Sequence, residues 1–419
     1  MKCDVLILGG GGAGLAAAVA AARAGARTVL VERHGALGGM ATAALVHSVC
    51  GLYLLRTEPG AVLANRGLPG EFAARLVRAG ASPGPVRMGR LDVLPHSPPG
   101  FAAVADALAA ECATLDVRLH TELIAAHGSG RVEAVDVICR GARATLEPRA
   151  VVDASGDAVL ASLAGAGTEQ TESAHLQRPA FIFALHTVEV AALGDEGRIY
   201  LAHQIAEAVR DGRLERGALG AQFRTTGRGS EVYATVDLAG PENFDPTSPE
   251  HLGALERTGR RLAVELFTFL RGNHAAFARA ELAAFPARVG IRESRRVRGE
   301  ITITAADVLR GTETTDVVAL GTWPMELREK ATGPRWRFPD DNRPTQIPLS
   351  ALKAAGVENL WTAGRCLSCE HEAQAALRVI GTCLATGQAA GIAAAWQAQR
   401  GQMPTAAEVR AQIEEVLAR

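Results

Sequence analysis

Lys2-Cys3-Asp4-Val5-Leu6-Ile7-Leu8 runs straight into Gly9-Gly10-Gly11-Gly12-Ala13-Gly14, and this stretch decides the fold. The apolar run reads as a buried strand. Small and apolar residues at 15–24 follow with helical character, then Thr28-Val29-Leu30-Val31 as a second strand ending on Glu32. Strand, glycine turn, helix, strand and acid, in that order, form a dinucleotide-binding unit. Gly9 permits the tight turn, and Gly11 lets a pyrophosphate approach the backbone. Gly14 lets the helix pack closely on the sheet. The helix start, with Ala13 in its first turn, offers free N–H groups and partial positive charge to phosphates. Glu32, eighteen residues after Gly14, is placed to accept the hydroxyl hydrogens of a ribose.

The 419-residue chain is 48% hydrophobic and 21% charged, an ordinary globular balance that suits two packed domains. Its formal net charge of −1 excludes a strong pull toward nucleic acid or an anionic membrane. A strand beginning at residue 2 leaves no room for a signal peptide, and no apolar run is long enough to span a bilayer. Seven scattered cysteines then read as reduced thiols in a cytoplasm. Cys366 and Cys369 form a C-x-x-C without a second pair, which leaves redox and metal roles weak and no metal site assigned.

Beyond Glu32 and Arg33, the run Gly38-Gly39-Met40-Ala41-Thr42-Ala43 resembles FAD-dependent oxidoreductases of the glutathione-reductase fold type, distantly similar to fumarate reductase flavoproteins. The resemblance covers nearly the whole chain. It is detailed again at Ala150-Val151-Val152-Asp153-Ala154-Ser155-Gly156-Asp157, at Ala363-Gly364-Arg365, and at His371-Glu372-Ala373 through Gly381-Thr382-Cys383. It implies FAD as cofactor, held by the first glycine turn and by Glu32, Arg33, Gly39, Met40, Ala41, Leu123, Ala154, Gly156, Asp157, Gly364, Arg365, Gly381 and Thr382. The helix start at Gly381-Thr382 is expected to point at the flavin and stabilise negative charge there. Gly381 stands where family members often carry proline.

The resemblance implies an α/β fold: a discontinuous Rossmann-like FAD-binding domain (1–168 and 321–419) around an inserted β-rich α+β substrate domain (169–320). Residues 181–188 and 231–237 read as strands of the latter, and 249–271 as a helix. The cluster Arg288, Arg292, Arg295, Arg296 reads either as a wall for an anionic substrate or as a salt-bridged turn with Glu293 and Glu300. His47 is a pocket candidate or an ordinary loop histidine. His371 is the first choice for acid–base work because its ordinary pKa is near neutral. Arg292 and Arg378 are the choices for substrate or flavin electrostatics, with Arg378 two helical turns from His371 on a shared face. The function implied is hydride transfer between FAD and a small organic substrate. The alternatives are a flavin-dependent monooxygenase and a non-catalytic flavoprotein. The sequence assigns no electron partner, no oligomeric state and no covalent flavin link.

Overall fold

The computed structural model describes residues 1–227, 229–330 and 333–418. The chain opens with β1 (Lys2–Leu8), α1 (Gly12–Arg23) and β2 (Thr28–Val31). β1 is buried throughout Val5–Leu8, as an apolar run covered on both faces must be. Residues 46–100, which carry no clean period, nevertheless hold a helix at Leu68–Arg78 and a strand at Leu91–Pro95. Next come β3 (Leu115–Arg118), β4 (Glu122–His127), β5 (Ala134–Cys139) and the long β6 (Ala142–Asp153).

β6 does two things. Its first residues pair antiparallel with β5. Its last run parallel to β1, which sets Asp153 beside Leu8. An antiparallel sheet follows, built from β7 (Ala180–His186), β8 (Gln222–Thr225), β9 (Val232–Asp237) and, after α2 (Pro249–Asn273), β10 (Glu281–Ala284). Their spatial order is β8-β9-β7-β10. α2 starts at Ser248, whose hydroxyl accepts from the His251 N–H. It lays Leu255, Leu262, Leu266 and Leu270 on that sheet, and Gly259 meets the Phe181 ring, where a Cβ would lie 2.2 Å from Cδ2.

The chain then returns. β11 (Leu360–Thr362) pairs in parallel with the end of β6. The first sheet thus reads β3-β2-β1-β6-β5-β4 with β11 beside β6, a mixed α/β arrangement with parallel strands at its centre. α3 (His371–Leu377) and α4 (Ile380–Arg400) follow, bent by 94° at Arg378 and Val379. α4 packs flat on α1. A Cβ at Gly387 would sit 2.0 Å from the Ala13 carbonyl, and one at Gly391 2.2 Å from that of Ala17. Among the described residues no single helix is long and apolar enough to cross a membrane, though α3 and α4 pass that test taken together as a bent pair. α4 is almost wholly buried in the protein.

Candidate active site

The carboxyl ends of β1, β6 and β11 open onto a cleft where α1 begins. Gly9 makes the turn at φ +98°, and a Cβ on Gly14 would lie 1.6 Å from the Gly9 carbonyl oxygen. Both glycines are therefore fixed by main-chain packing. No side chain caps α1 among the described residues, so its first N–H groups face the cleft. The double glycine crosses the turn: Gly38 N–H donates to the Gly10 carbonyl at 2.8 Å. Glu32 is buried, its carboxylate accepting from the Gly10 and His34 N–H groups at 2.5 and 2.8 Å. Each oxygen keeps a further lone pair for a hydroxyl in the cleft.

Of the residues expected to hold FAD, Gly9, Gly11, Ala13, Glu32, Arg33, Gly39, Met40, Leu123, Ala154, Gly156, Gly364 and Arg365 line this cleft. Gly14 and Ala41 lie behind it as packing residues. Asp157 also stands behind, receiving Arg365 at 2.7 Å and the Ser294 hydroxyl at 2.8 Å. Burial pushes its carboxyl up, but Arg365, Arg33 and that hydroxyl bring it down to about 2.

The expectation for Gly381 and Thr382 needs correction. α4 begins one residue earlier, and Ile380 and Cys383 are the residues that face the cleft. Gly381 instead meets the chain at Gly51: its N–H donates to the Cys50 carbonyl at 2.9 Å, and a Cβ would lie 2.5 Å from Gly51. Proline would lose that bond, which accounts for the departure from the family pattern.

Arg288 was not singled out among the arginines of its cluster, yet it lines the cleft from the side of the second sheet. Its buried Nε has no hydrogen-bond partner among the described residues. Burial brings the guanidinium down to about 10, so it stays charged at neutral pH. A cleft of main-chain donors and glycines, with an orphaned guanidinium atom on its wall, fits the pyrophosphate of a dinucleotide. The signal was present in the sequence, but spacing cannot aim a side chain.

Beyond Met40, Arg365, Arg378 and Ile380 the cleft continues into an inner cavity of about 200 Å³ between the second sheet and the start of α4. Arg292 and Arg328 line it and share Asp237, at 2.8 and 2.9 Å, all three side chains being at most 10% exposed. The Arg292 contact is an ion pair whose angle falls outside hydrogen-bond geometry. Arg328 also reaches Glu326 at 2.7 Å. The arginine cluster thus splits: Arg292 faces the cavity, while Arg296 pairs with Glu293 at 2.7 Å in a buried turn. Glu300 takes no part in the described ion pairs of either arginine.

Arg378 sits at the bend between α3 and α4 and lines both spaces. Its hydrogen bonds are long, 3.3 Å to Gln177 and 3.4 Å to the Glu326 carbonyl. No carboxylate oxygen lies within 4.0 Å of it among the described residues. Burial lowers it to about 10, still charged at neutral pH. His47 lines the cavity stacked on Tyr233, ring centroids 4.7 Å apart. Its Nδ1 lies 3.2 Å from the Leu45 carbonyl, which can only accept, so Nδ1 carries the proton and Nε2 is the acceptor. Burial pushes its pKa down to about 4, which keeps the ring neutral.

His371 departs from its expected role. It lies outside both linings, with Nδ1 2.9 Å from Glu293 and Nε2 3.2 Å from Glu329. α3 ends at Leu377, so His371 and Arg378 do not share a helical face over two turns. All seven cysteines are free, and Cys366 and Cys369 are buried away from both spaces. Thr345–Pro348 forms a strand paired with Val317–Gly321 and lines neither space.

The model of the FAD dependent oxidoreductase family matches residues 4–417. The chain belongs to that family. It is an FAD-dependent enzyme, and FAD is its cofactor. No curated protein sequence matches the chain. BexE, studied for oxidation during BE-7585A biosynthesis, aligns with TM-score 0.50 at 16% identity, over 100% of this chain and 67% of its own. That likeness is one of fold. A geranylgeranyl bacteriochlorophyll reductase-like protein from Thermoplasma acidophilum aligns with TM-score 0.48 at 13% identity, over 99% and 83% of the two chains. p-Nitrophenol 4-monooxygenase PnpA from Pseudomonas putida DLL-E4 aligns with TM-score 0.48 at 10% identity, over 100% and 86%.

Proposed function

We propose that this FAD-dependent oxidoreductase transfers a hydride between the flavin and an organic substrate held in the inner cavity. The supporting observation is the continuity of cleft and cavity through Met40, Arg365, Arg378 and Ile380. In this reading residues 1–168 and 321–419 are one discontinuous FAD-binding domain of the glutathione-reductase type. Residues 169–320 are the inserted substrate domain. The parallel pairing of β11 with β6 supports that division. Free thiols throughout suit a cytoplasmic setting.

Gly11, Gly12 and Ala13, with Arg288, would hold the pyrophosphate, and Glu32 the adenosine ribose. Bound FAD supplies the hydride-level redox centre. The protein's part is electrostatic and positional. Arg378, charged and buried where the two spaces meet, favours negative charge on its neighbours. His47 offers a neutral acceptor to a substrate hydroxyl or amine. Arg292 and Arg328, neutralised by Asp237 and Glu326, shape the polar wall. His371 positions Glu293 and is not a catalytic residue.

The purified protein is expected to be yellow and to release FAD on acid treatment. Under anaerobic conditions its substrate should bleach the flavin. Release of FMN or of no flavin overturns the reading. Incorporation of an oxygen atom from O₂ into product replaces hydride transfer with the monooxygenase alternative.

A further inference from the structure

The inner cavity opens outward into a funnel of about 1270 Å³, sharing Ser48, Cys50, Gln222, Arg224, Glu326 and Arg328 with it. Its wall is unusual in two independent ways. Ile199 is 72% exposed, Val86 42%, Met88 38% and Trp336 38%, and all four converge on this space. Trp336 also meets Trp323 edge-on at 5.9 Å and stacks with Phe338 at 6.1 Å, giving an aromatic side. Large apolar side chains left in water at one concavity mark a place where an apolar body binds.

The charged lining is one-sided. Arg87, Arg90 and Arg328 face the funnel beside one carboxylate, Glu326. Glu326 is itself taken by Arg328 and by the Trp323 N–H at 3.0 Å. Asp92 stands behind the wall and holds Arg87 at 2.9 Å. Arg90 lies over the Phe338 ring at 4.4 Å and bonds a neutral amide, Asn342, at 2.8 Å. At the inner end stands Arg378, without a carboxylate partner among the described residues.

We infer that the substrate is an amphipathic organic anion: an extended apolar or aromatic body fills the funnel, and an anionic head reaches the inner cavity beside Arg378. The inference rests on the reading of the inner cavity as the reaction site and deepens it. The volumes agree with this orientation. About 200 Å³ accommodates a head group and little more, whereas the funnel exceeds the ~300–1,000 Å³ of ordinary ligand pockets. A small hydrophilic acid would leave the aromatic wall in water, and a neutral apolar molecule would leave Arg378, which has no carboxylate within 4.0 Å among the described residues, without a counter-charge.

The test uses the FAD-loaded protein and two probes of one shape, 2-naphthoate and its neutral amide 2-naphthamide. Binding is read by tryptophan quenching and by perturbation of the flavin absorption band. Naphthoate should bind at least ~10-fold more tightly than the amide, the worth of one charge-assisted hydrogen bond, and added salt should narrow the gap. Ile199→Asp, a change at an exposed position, should weaken naphthoate several-fold more than the amide. Trp336→Ala should weaken both. Flavin content and melting temperature confirm that each variant is folded. Equal affinity for the two probes, or an Ile199→Asp variant that binds naphthoate as the parent does, overturns the inference. So does a wild-type dimer that excludes both probes and dissociates in Ile199→Asp, since a second copy then covers the funnel. Failure with a normally FAD-loaded protein sinks the substrate class alone; absence of FAD sinks the reading beneath it.

Discussion

The nucleotide cleft and the inner cavity meet at four residues, yet they are made of different material. The cleft is mostly main chain: a glycine turn, an uncapped helix start and a double glycine folded across it. The cavity is lined by side chains, and its polar character comes from a cluster of charged ones. Arg292, Arg328 and Arg378 come from three separate segments, and their acids Asp237 and Glu326 from β9 and the run before Arg328. A main-chain site is stable without its ligand because its hydrogen bonds belong to the fold. A buried charge cluster depends on every member, since removing one leaves another uncompensated.

Replacing Asp237 breaks that dependence most severely. Burial pushes its carboxyl up, but Arg292 and Arg328 hold it below the usual carboxylate range. Asp237→Ala leaves Arg292 buried without an acid and Arg328 with Glu326 alone. The expected loss is about 3–5 kcal/mol of unfolding free energy, read from denaturant or thermal melts. The folded fraction should still carry FAD, because no cleft residue is touched. A variant that keeps its stability and loses FAD would reverse the contrast between the two regions.

The same contrast governs what the sequence revealed. A site made from main chain forces glycines into fixed register, so Gly9, Gly11 and Gly14 announce it within forty residues. The returns at Ala154-Ser155-Gly156 and Gly364 repeat the same requirement. The cavity leaves no such mark, because Arg292 and Asp237 become partners only once β9 and the segment after β10 are folded together. His371 shows the same limit: a neutral-range side chain suggests acid–base work, and the sequence does not show that two carboxylates from distant segments close on it. Arg288 was visible yet undistinguished from its neighbours. The helix at Leu68–Arg78 lay in a stretch where Gly, Pro and charges broke the apolar period, although five of its residues are buried.

Arg288 is the exception in the cleft, a long side chain in a main-chain site, and its removal sharpens the comparison. Arg288→Ala should raise the FAD dissociation constant by roughly 10–100-fold, the worth of about 1.5–3 kcal/mol for a charged hydrogen bond. The apoprotein should melt close to the parent, because Nε has no partner to lose among the described residues and Nη2 gives up only a 3.5 Å contact with the Met40 sulfur. Flavin retention on dilution and the melting temperature of the apoprotein check the two halves. An apoprotein destabilised in proportion to lost FAD would make Arg288 a structural residue.

The smallest expected effect tests whether His371 belongs to the charge framework and not to the chemistry. Burial alone would lower its pKa, but Glu293 and Glu329 outweigh it and raise the pKa above the ordinary 6.5. A group whose folded pKa is raised stabilises the protein fully below its unfolded value, and that stability fades as pH rises through the folded pKa. Glu293 works in the opposite sense. Burial pushes it up, but His371, Thr171 and Arg296 hold it below 4.5, so its contribution appears above that value and is lost in acid. Their joint contribution is therefore largest between the ordinary values 4.5 and 6.5. His371→Gln keeps a polar side chain beside Glu293, which retains Arg296 at 2.7 Å and the Thr171 hydroxyl at 2.6 Å. The loss should be about 1 kcal/mol, the net worth of one hydrogen bond, near pH 6. It should shrink as pH rises through the folded pKa. Melting temperatures of both proteins from pH 5 to 9 measure it. The rate of anaerobic flavin reduction should stay the same, since His371 lines neither the cleft nor the cavity. A pH-independent stability difference accompanied by slowed reduction would return His371 to the reacting side.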